Sequence, residues 1–193
     1  MTPRKRIIVA ITGASGALYA KRLLEALTVA EVYLIISPMG RRLLQDELGI
    51  EDITTLLTPN IHLLPYNDVG ACIASGSFKT DAMIVIPCSN NKLAELACGL
   101  SDNLISRAAQ VMLKERRRLI LVHRETPLSL IEIQNMLTLT QAGAILYPAN
   151  PAFYTLPQTI DDLISTVIAR LLDLLEIDHT LAPRWIGKTE TTP

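Results

Sequence analysis

The sequence predicts a single α/β domain built on a doubly wound, mostly parallel sheet. Three observations lead there. Short aliphatic runs recur along the chain, each followed by a stretch of helical period, and that alternation is the βαβ rhythm of a parallel sheet. The runs are apolar almost without a break, so helices should cover both faces of the sheet. Finally, 193 residues, 49% of them hydrophobic and only 4% aromatic, suit one aliphatic core.

Taken in order, strands are expected at Ile7 to Ile11, Val32 to Ile36, Met83 to Ile86, Leu119 to Val122 and Ala144 to Leu146. A further strand fits Ile61 to Leu64, inside the least regular stretch of the chain, Thr54 to Ser77. Helices are expected at Ala17 to Leu27, Gly40 to Leu48, Leu93 to Cys98, Asn103 to Glu115 and Leu128 to Ala142. The last helix has the clearest pattern. Ile160, Leu163, Ile164, Val167, Ile168, Leu171, Leu172 and Leu175 recur at helical spacing and form one apolar stripe, and Thr159 with Asp162 makes a capping-box start. The domain is expected to span residues 1–176. Residues 177–193, with Pro183, Pro193 and the lone Trp185, read as an extended arm.

Composition narrows the function classes. A formal net charge of -1 draws the chain toward neither nucleic acid nor an anionic membrane, so any anion site must be local. The apolar run after Arg4, Lys5 and Arg6 is too short for a signal sequence, and no span reaches membrane length. Cys72, Cys88 and Cys98 have no zinc-like spacing and are odd in number, which suits a reducing cytoplasm. His62, His123 and His179 share no ligand spacing, so no residue is assigned to a metal.

Three motifs stand at strand ends. "TGASGA" places Gly13 and Gly16 between a buried strand and an amphipathic helix, where the backbone can approach a ligand and the helix start can face an anion. It is not the GxGxxG fingerprint, and Ser37 and Pro38 stand where a ribose-binding acid would be, so a flavin or nucleotide is favoured over NAD. "PCSNN" sets Ser89, Asn90 and Asn91 at the carboxyl end of the next inner strand, either as ligand donors or as a helix cap. "HRETP" follows another buried strand, placing an Arg that can grip phosphate beside a Glu that can move protons. Arg116, Arg117 and Arg118 read as a solvated face.

Together "TGASGA", "ASGS", "PCS", "NLISRAAQVMLKERR", "RETPLS", "NPAFYTLPQTIDDLISTVIARLLDLL" and "PRW" resemble the flavin prenyltransferases, from about Ile7 to Trp185. The resemblance implies a Rossmann-like, flavin-binding subunit that holds reduced FMN as substrate. It also implies that a dimethylallyl group passes from dimethylallyl phosphate to flavin N5 and C6 without a metal. The product, prenylated FMN, would serve a partner decarboxylase in ubiquinone or aromatic-acid pathways, and the family suggests a dodecamer.

Carried over residue by residue, FMN contacts fall on Gly13, Ala14, Ser15, Ser37, Ser89, Asn90, Asn91, Lys92 and Arg124. The allyl phosphate meets Lys114, Arg124, Tyr154 and Arg170, some of them supplied across a subunit interface. Glu125 is the implied acid and base, with Glu47 and Ser15 near the flavin and Trp185 offering an aromatic face to an allylic cation. "ISPMGRR" and "SNN" depart from the family pattern. "PCSNN" also resembles the "PASAN" of FMN-dependent cysteine decarboxylases, for which His62 would be the base. A third reading is a flavin carrier that catalyses nothing.

Overall fold

The computed structural model of the chain describes residues 4–184. Six strands, β1 (Arg6–Ile11), β2 (Glu31–Ile36), β3 (Ile61–Leu64), β4 (Ala82–Cys88), β5 (Arg118–His123) and β6 (Ile145–Pro148), pair in the order β3-β2-β1-β4-β5-β6. Every pairing is parallel. The helices are α1 (Ala17–Ala26), α2 (Pro38–Leu48), α3 (Asn90–Ala97), α4 (Leu104–Lys114), α5 (Leu130–Gln141) and α6 (Ile160–Leu174).

The unbroken aliphatic runs are explained by burial on both faces. Alternate residues of a strand point to opposite sides. Ile8, Ala10, Tyr33, Ile35, Met83, Val85, Leu119 and Leu121 form one cluster with Leu93 and Leu96 of α3 and with Leu104, Ile105 and Ala108 of α4. The intervening residues Ile7, Val9, Ile11 and Ile84 are equally buried, and α1 packs against β4. Helix α5 behaves differently, since Leu139 is its one buried residue while Leu130, Ile131, Ile133 and Leu137 are exposed.

Two helices begin earlier than the apolar pattern suggests, and hydroxyl caps are the reason. Ser37 Oγ accepts the Gly40 N–H at 3.0 Å with Pro38 in the first helical position, and Ser89 Oγ accepts the Lys92 N–H at 3.3 Å. The unusual "ISPMGRR" also contains a packing requirement. A Cβ on Gly40 would lie 2.5 Å from the Ile11 carbonyl oxygen, so only glycine lets the first turn of α2 cross the end of β1.

The chain divides into two compact units, residues up to Ala149 and residues from Asn150. The first holds all six strands and α1 to α5. In the second, α6 starts with the expected capping box, Thr159 and Asp162 exchanging hydrogen bonds of 2.9 and 3.1 Å. Its stripe is buried from Ile164 onward, whereas Ile160, the first helical residue, is 72% exposed.

In the first unit the chain leaves β1 toward β2 and β3 on one side, and leaves β4 toward β5 and β6 on the other. Strand order therefore reverses between β1 and β4, and the crevice outside their carboxyl ends is where open α/β sheets bind ligands.

Candidate active site

That crevice is closed at its floor by a residue the motifs did not single out. Thr12, directly after β1 and 2% exposed, donates from Oγ1 to the Pro87 carbonyl at 2.7 Å and accepts the Ser89 N–H at 2.9 Å. The hydroxyl joins the ends of β1 and β4 across the switch point. Thr12→Val is expected to cost about 1–3 kcal/mol by leaving both partners unmade, measured as a lower urea midpoint with unchanged slope.

Above Thr12 the backbone turns through Gly13, Ala14 and Ser15, all at least partly exposed. Among the described residues their amides have no acceptor. Gly16 has φ 126°, and a Cβ there would press on the Tyr19 ring at 3.0 Å. The helix start behind this loop is already taken by an anion, and the anion is Glu47 of α2. Its carboxylate accepts the Gly16 N–H at 3.0 Å and the Ala17 N–H at 2.8 Å. The sequence pattern offers the start of α1 to an anion, and the protein's own carboxylate fills that place, whereas the amides of Gly13, Ala14 and Ser15 are left open.

Burial pushes the Glu47 carboxyl up, but hydrogen bonds from the Ser15 hydroxyl and the Gly16 and Ala17 amides, with the charge of Arg124, outweigh it and hold the group below the usual carboxylate range. A carboxyl held low stabilises the fold fully above its unfolded value of about 4.3, and that contribution fades as the pH falls through the folded value. Because Glu47 is exposed to solvent, Glu47→Gln is expected to lower stability by only about 0.3–1 kcal/mol at pH 7. The deficit against the unsubstituted protein should shrink in melts at pH 3.5.

The other strand ends meet here. Arg124 is exposed after β5 and lies close enough to oppose the rise that burial imposes on the Tyr19 hydroxyl, and to lower Glu47. Glu125 is exposed too, accepting Asn90 Nδ2–H at 2.8 Å on Oε2 and the Thr126 N–H at 3.0 Å on Oε1. Asn90 Oδ1 is 2.6 Å from Nε2 of His123, a buried residue at the end of β5. Gly13, Ala14, Ser15, Ser37, Glu47, Ser89, Asn90, Arg124 and Glu125 therefore share the carboxyl edge of one sheet, and Asn91 stands exposed beside Asn90.

Comparison with known proteins gives this edge its context. The flavoprotein family model matches residues 1–172. A flavin prenyltransferase UbiX of Thermoplasma acidophilum is 46% identical over 180 residues, 93% of this chain and 99% of its own. The chain belongs to the flavin prenyltransferase family. Among solved flavin prenyltransferases, AnUbiX (PadA1), crystallised with FMN and dimethylallyl pyrophosphate, aligns with a TM-score of 0.91 at 43% identity, covering 97% of this chain and 100% of its own. A dodecameric FMN-dependent UbiX-like decarboxylase from Escherichia coli O157:H7 aligns with a TM-score of 0.88 at 42% identity, covering 94% of this chain and 100% of its own.

Two residues assigned from the flavin prenyltransferase pattern do not join the others within the subunit. The Lys92 ammonium is buried and bonds Glu95 at 2.6 Å, Ser106 at 2.9 Å and Asn103 at 3.2 Å, so its charge ties α3 to α4 and does not face the crevice. Lys114 ends α4, just before β5 begins, and pairs with Glu115. It sits at the opposite edge of the sheet, on the order of 17 Å from Arg124 along the strand. Glu125, for its part, is solvated within the chain.

In the second unit Tyr154 and Arg170 line a cavity of about 500 Å³ with Asp173, His179 and Arg184. Burial raises the Asp173 carboxyl, but hydrogen bonds from His179 and Arg170 and the charge of Arg184 bring it below its ordinary value. Arg170 makes an ion pair with Asp173, one turn along α6, at 2.6 Å. His62 stands on edge strand β3 beside Glu31 and Tyr33, away from the carboxyl edge. Trp185 lies outside the described residues.

Among the described residues no cluster of three or more His, Cys, Asp or Glu could hold a metal ion, and no helix is long and apolar enough to cross a membrane. Thr12, Tyr19 and His123 are the residues sequence reasoning missed. The available signal was a polar residue ending an otherwise aliphatic strand, as in "IVAIT" and "LILVH".

Proposed function

We infer that the chain is a flavin prenyltransferase, joining a dimethylallyl group from a phosphate ester to N5 and C6 of reduced FMN. The observation that carries this is the gathering of the free amides of Gly13, Ala14 and Ser15, the hydroxyls of Ser37 and Ser89, the Arg124 cation and the Glu125 carboxyl at one switch point of the sheet. That donor set fits a flavin phosphate and ring edge next to a leaving phosphate. Reduced FMN, when bound, supplies the nucleophilic N5 and C6.

The chain's own part is to hold and to move protons. Arg124 steadies the charge that grows on the leaving phosphate, each charge-assisted hydrogen bond being worth about 1.5–3 kcal/mol. Glu125 returns a proton to that phosphate and takes one from the C6 side, while Ser15 and Glu47 order the loop beneath. Asn91 is a further flavin contact, and Trp185 would face the allylic cation. Lys114, Tyr154 and Arg170 would add to the phosphate grip across subunits, which requires a homo-oligomer. A dodecamer is the assembly of the Escherichia coli neighbour. The flavin-binding domain is assigned to residues 1–176 with an arm from residue 177. A cytoplasmic site of action is supported by three unpaired cysteines, and a decarboxylase that uses the modified flavin is the recipient that such a product needs.

Anaerobic incubation with reduced FMN and dimethylallyl phosphate should give a flavin heavier by one C5H8 unit in mass spectra. Unchanged flavin in the presence of both bound ligands would defeat the assignment. The pyrophosphate ester as a second arm decides which donor is used.

A further inference from the structure

We propose that His123, acting through Asn90, is the positioning residue for Glu125: it sets the direction of the Asn90 amide, and that amide in turn fixes the carboxylate. The proposal rests on the prenyltransferase reading for what Glu125 does, but its geometry stands on its own. His123 Nε2 and Asn90 Oδ1 are 2.6 Å apart, and Asn90 Nδ2 and Glu125 Oε2 are 2.8 Å apart. The Glu125 carboxylate accepts from the Asn90 NH₂, which turns the amide oxygen to His123, and that oxygen is satisfied by the tautomer with hydrogen on Nε2 and Nδ1 bare.

An asparagine by itself has no preferred end. Its oxygen and nitrogen are nearly the same size, and turned the other way it would point a carbonyl at a carboxylate. The ring donor removes that choice. It is well placed to do so: His123 is 4% exposed and ends β5, with its carbonyl accepting the Ala149 N–H at 3.0 Å. Asn90 opens α3 immediately behind the Ser89 cap. Two rigid elements thus hold an exposed side chain that would otherwise sample many rotamers, which is how a group behind the reacting one keeps catalytic geometry.

The surroundings keep the ring neutral. Burial lowers the His123 pKa, against the opposing charges of Glu125 and of Glu132 on α5. The paired residue on β4, Cys88, is an uncharged thiol, burial having pushed it up to about 12. On β6 the partner is Pro148 and on α3 it is Asn90, neither of which titrates.

The test compares His123→Phe, His123→Gln and Asn90→Leu with the unsubstituted protein. His123→Phe should lower kcat by about 10- to 100-fold, with FMN affinity and the KM for dimethylallyl phosphate within twofold, and Asn90→Leu should lower kcat to the same degree. His123→Gln, whose terminal NH₂ can still donate, should recover most of the rate. Asn90→Asp, which sets a second carboxylate against Glu125, should move the acidic limb of the kcat profile to higher pH. Nitrogen-15 NMR of the resting protein should show His123 protonated at Nε2 and bare at Nδ1.

Unaltered kcat and pH profile in folded His123→Phe or Asn90→Leu, a Gln variant no better than Phe, or a ring protonated at Nδ1 alone would each overturn the proposal. If His123→Phe does not fold, Asn90→Leu carries the comparison with the ring left in place. Should the unsubstituted protein make no heavier flavin, it is the prenylation reading that fails. The NMR tautomer, and the change in the Glu125 carboxyl carbon-13 signal in Asn90→Leu, still decide the positioning role.

Discussion

Glu125→Gln should bind reduced FMN and dimethylallyl phosphate as the unsubstituted protein does and form the heavier flavin about 10²- to 10⁴-fold more slowly. The amide keeps the size of the side chain and one of the two acceptor oxygens, so either Asn90 or Thr126 keeps its partner while the ability to accept and return a proton is lost. Single-turnover mass spectrometry of the flavin, beside equilibrium binding of each ligand, reads the two properties separately. A protein that only carries flavin would be indifferent to the change and would still activate its recipient. Undiminished product formation by Glu125→Gln would remove Glu125 from the chemistry.

Lys92→Met should be the most destabilising of the substitutions considered, by about 3–5 kcal/mol, because it strands a buried carboxylate. Lys92 and Glu95 have side chains only 4% and 12% exposed, and both also bond Asn103 and Ser106. Removing the ammonium alone takes away the counter-charge of Glu95 and leaves it only the hydrogen bonds from Asn103 and Ser106. Changing both, as Lys92→Met with Glu95→Leu, replaces the pair by apolar volume and should recover much of the loss. Guanidinium melts of the two variants check this. The fraction of Lys92→Met that remains folded should keep its FMN affinity. A variant of native stability with weak FMN binding would return Lys92 to the ligand site.

The fold was legible because it is written in local patterns. Strands buried on both faces must be aliphatic throughout, as Ile7 to Ile11 and Met83 to Ile86 are, and hydroxyl caps such as Thr159 follow from short-range rules. The carboxyl edge was legible for the same reason: a ligand site in such a sheet must follow strand ends, and "TGASGA", "PCSNN" and "HRETP" each follow one.

What stayed hidden depends on contacts between distant segments. Glu47 is separated by about thirty residues from the amides it caps, and no spacing announces such a pair. Lys92 looks like a free cation three residues past Ser89 until the acid and amide at Glu95 and Asn103 are seen around it. His123, dismissed as a ligand because it lacks metal spacing, has its partner thirty-three residues earlier. A linear chain does not display such couplings.

Lys114 and Arg124 stand at opposite ends of β5. No rotation of side chains can bridge the length of a strand. A grip that used both would have to draw one of them from a neighbouring molecule, and the catalytic unit would then be the contact between copies. Turnover by such a protein would fall more steeply than in proportion as it is diluted. Two inactive mutants, one crippled at each end of that strand, could restore activity when mixed.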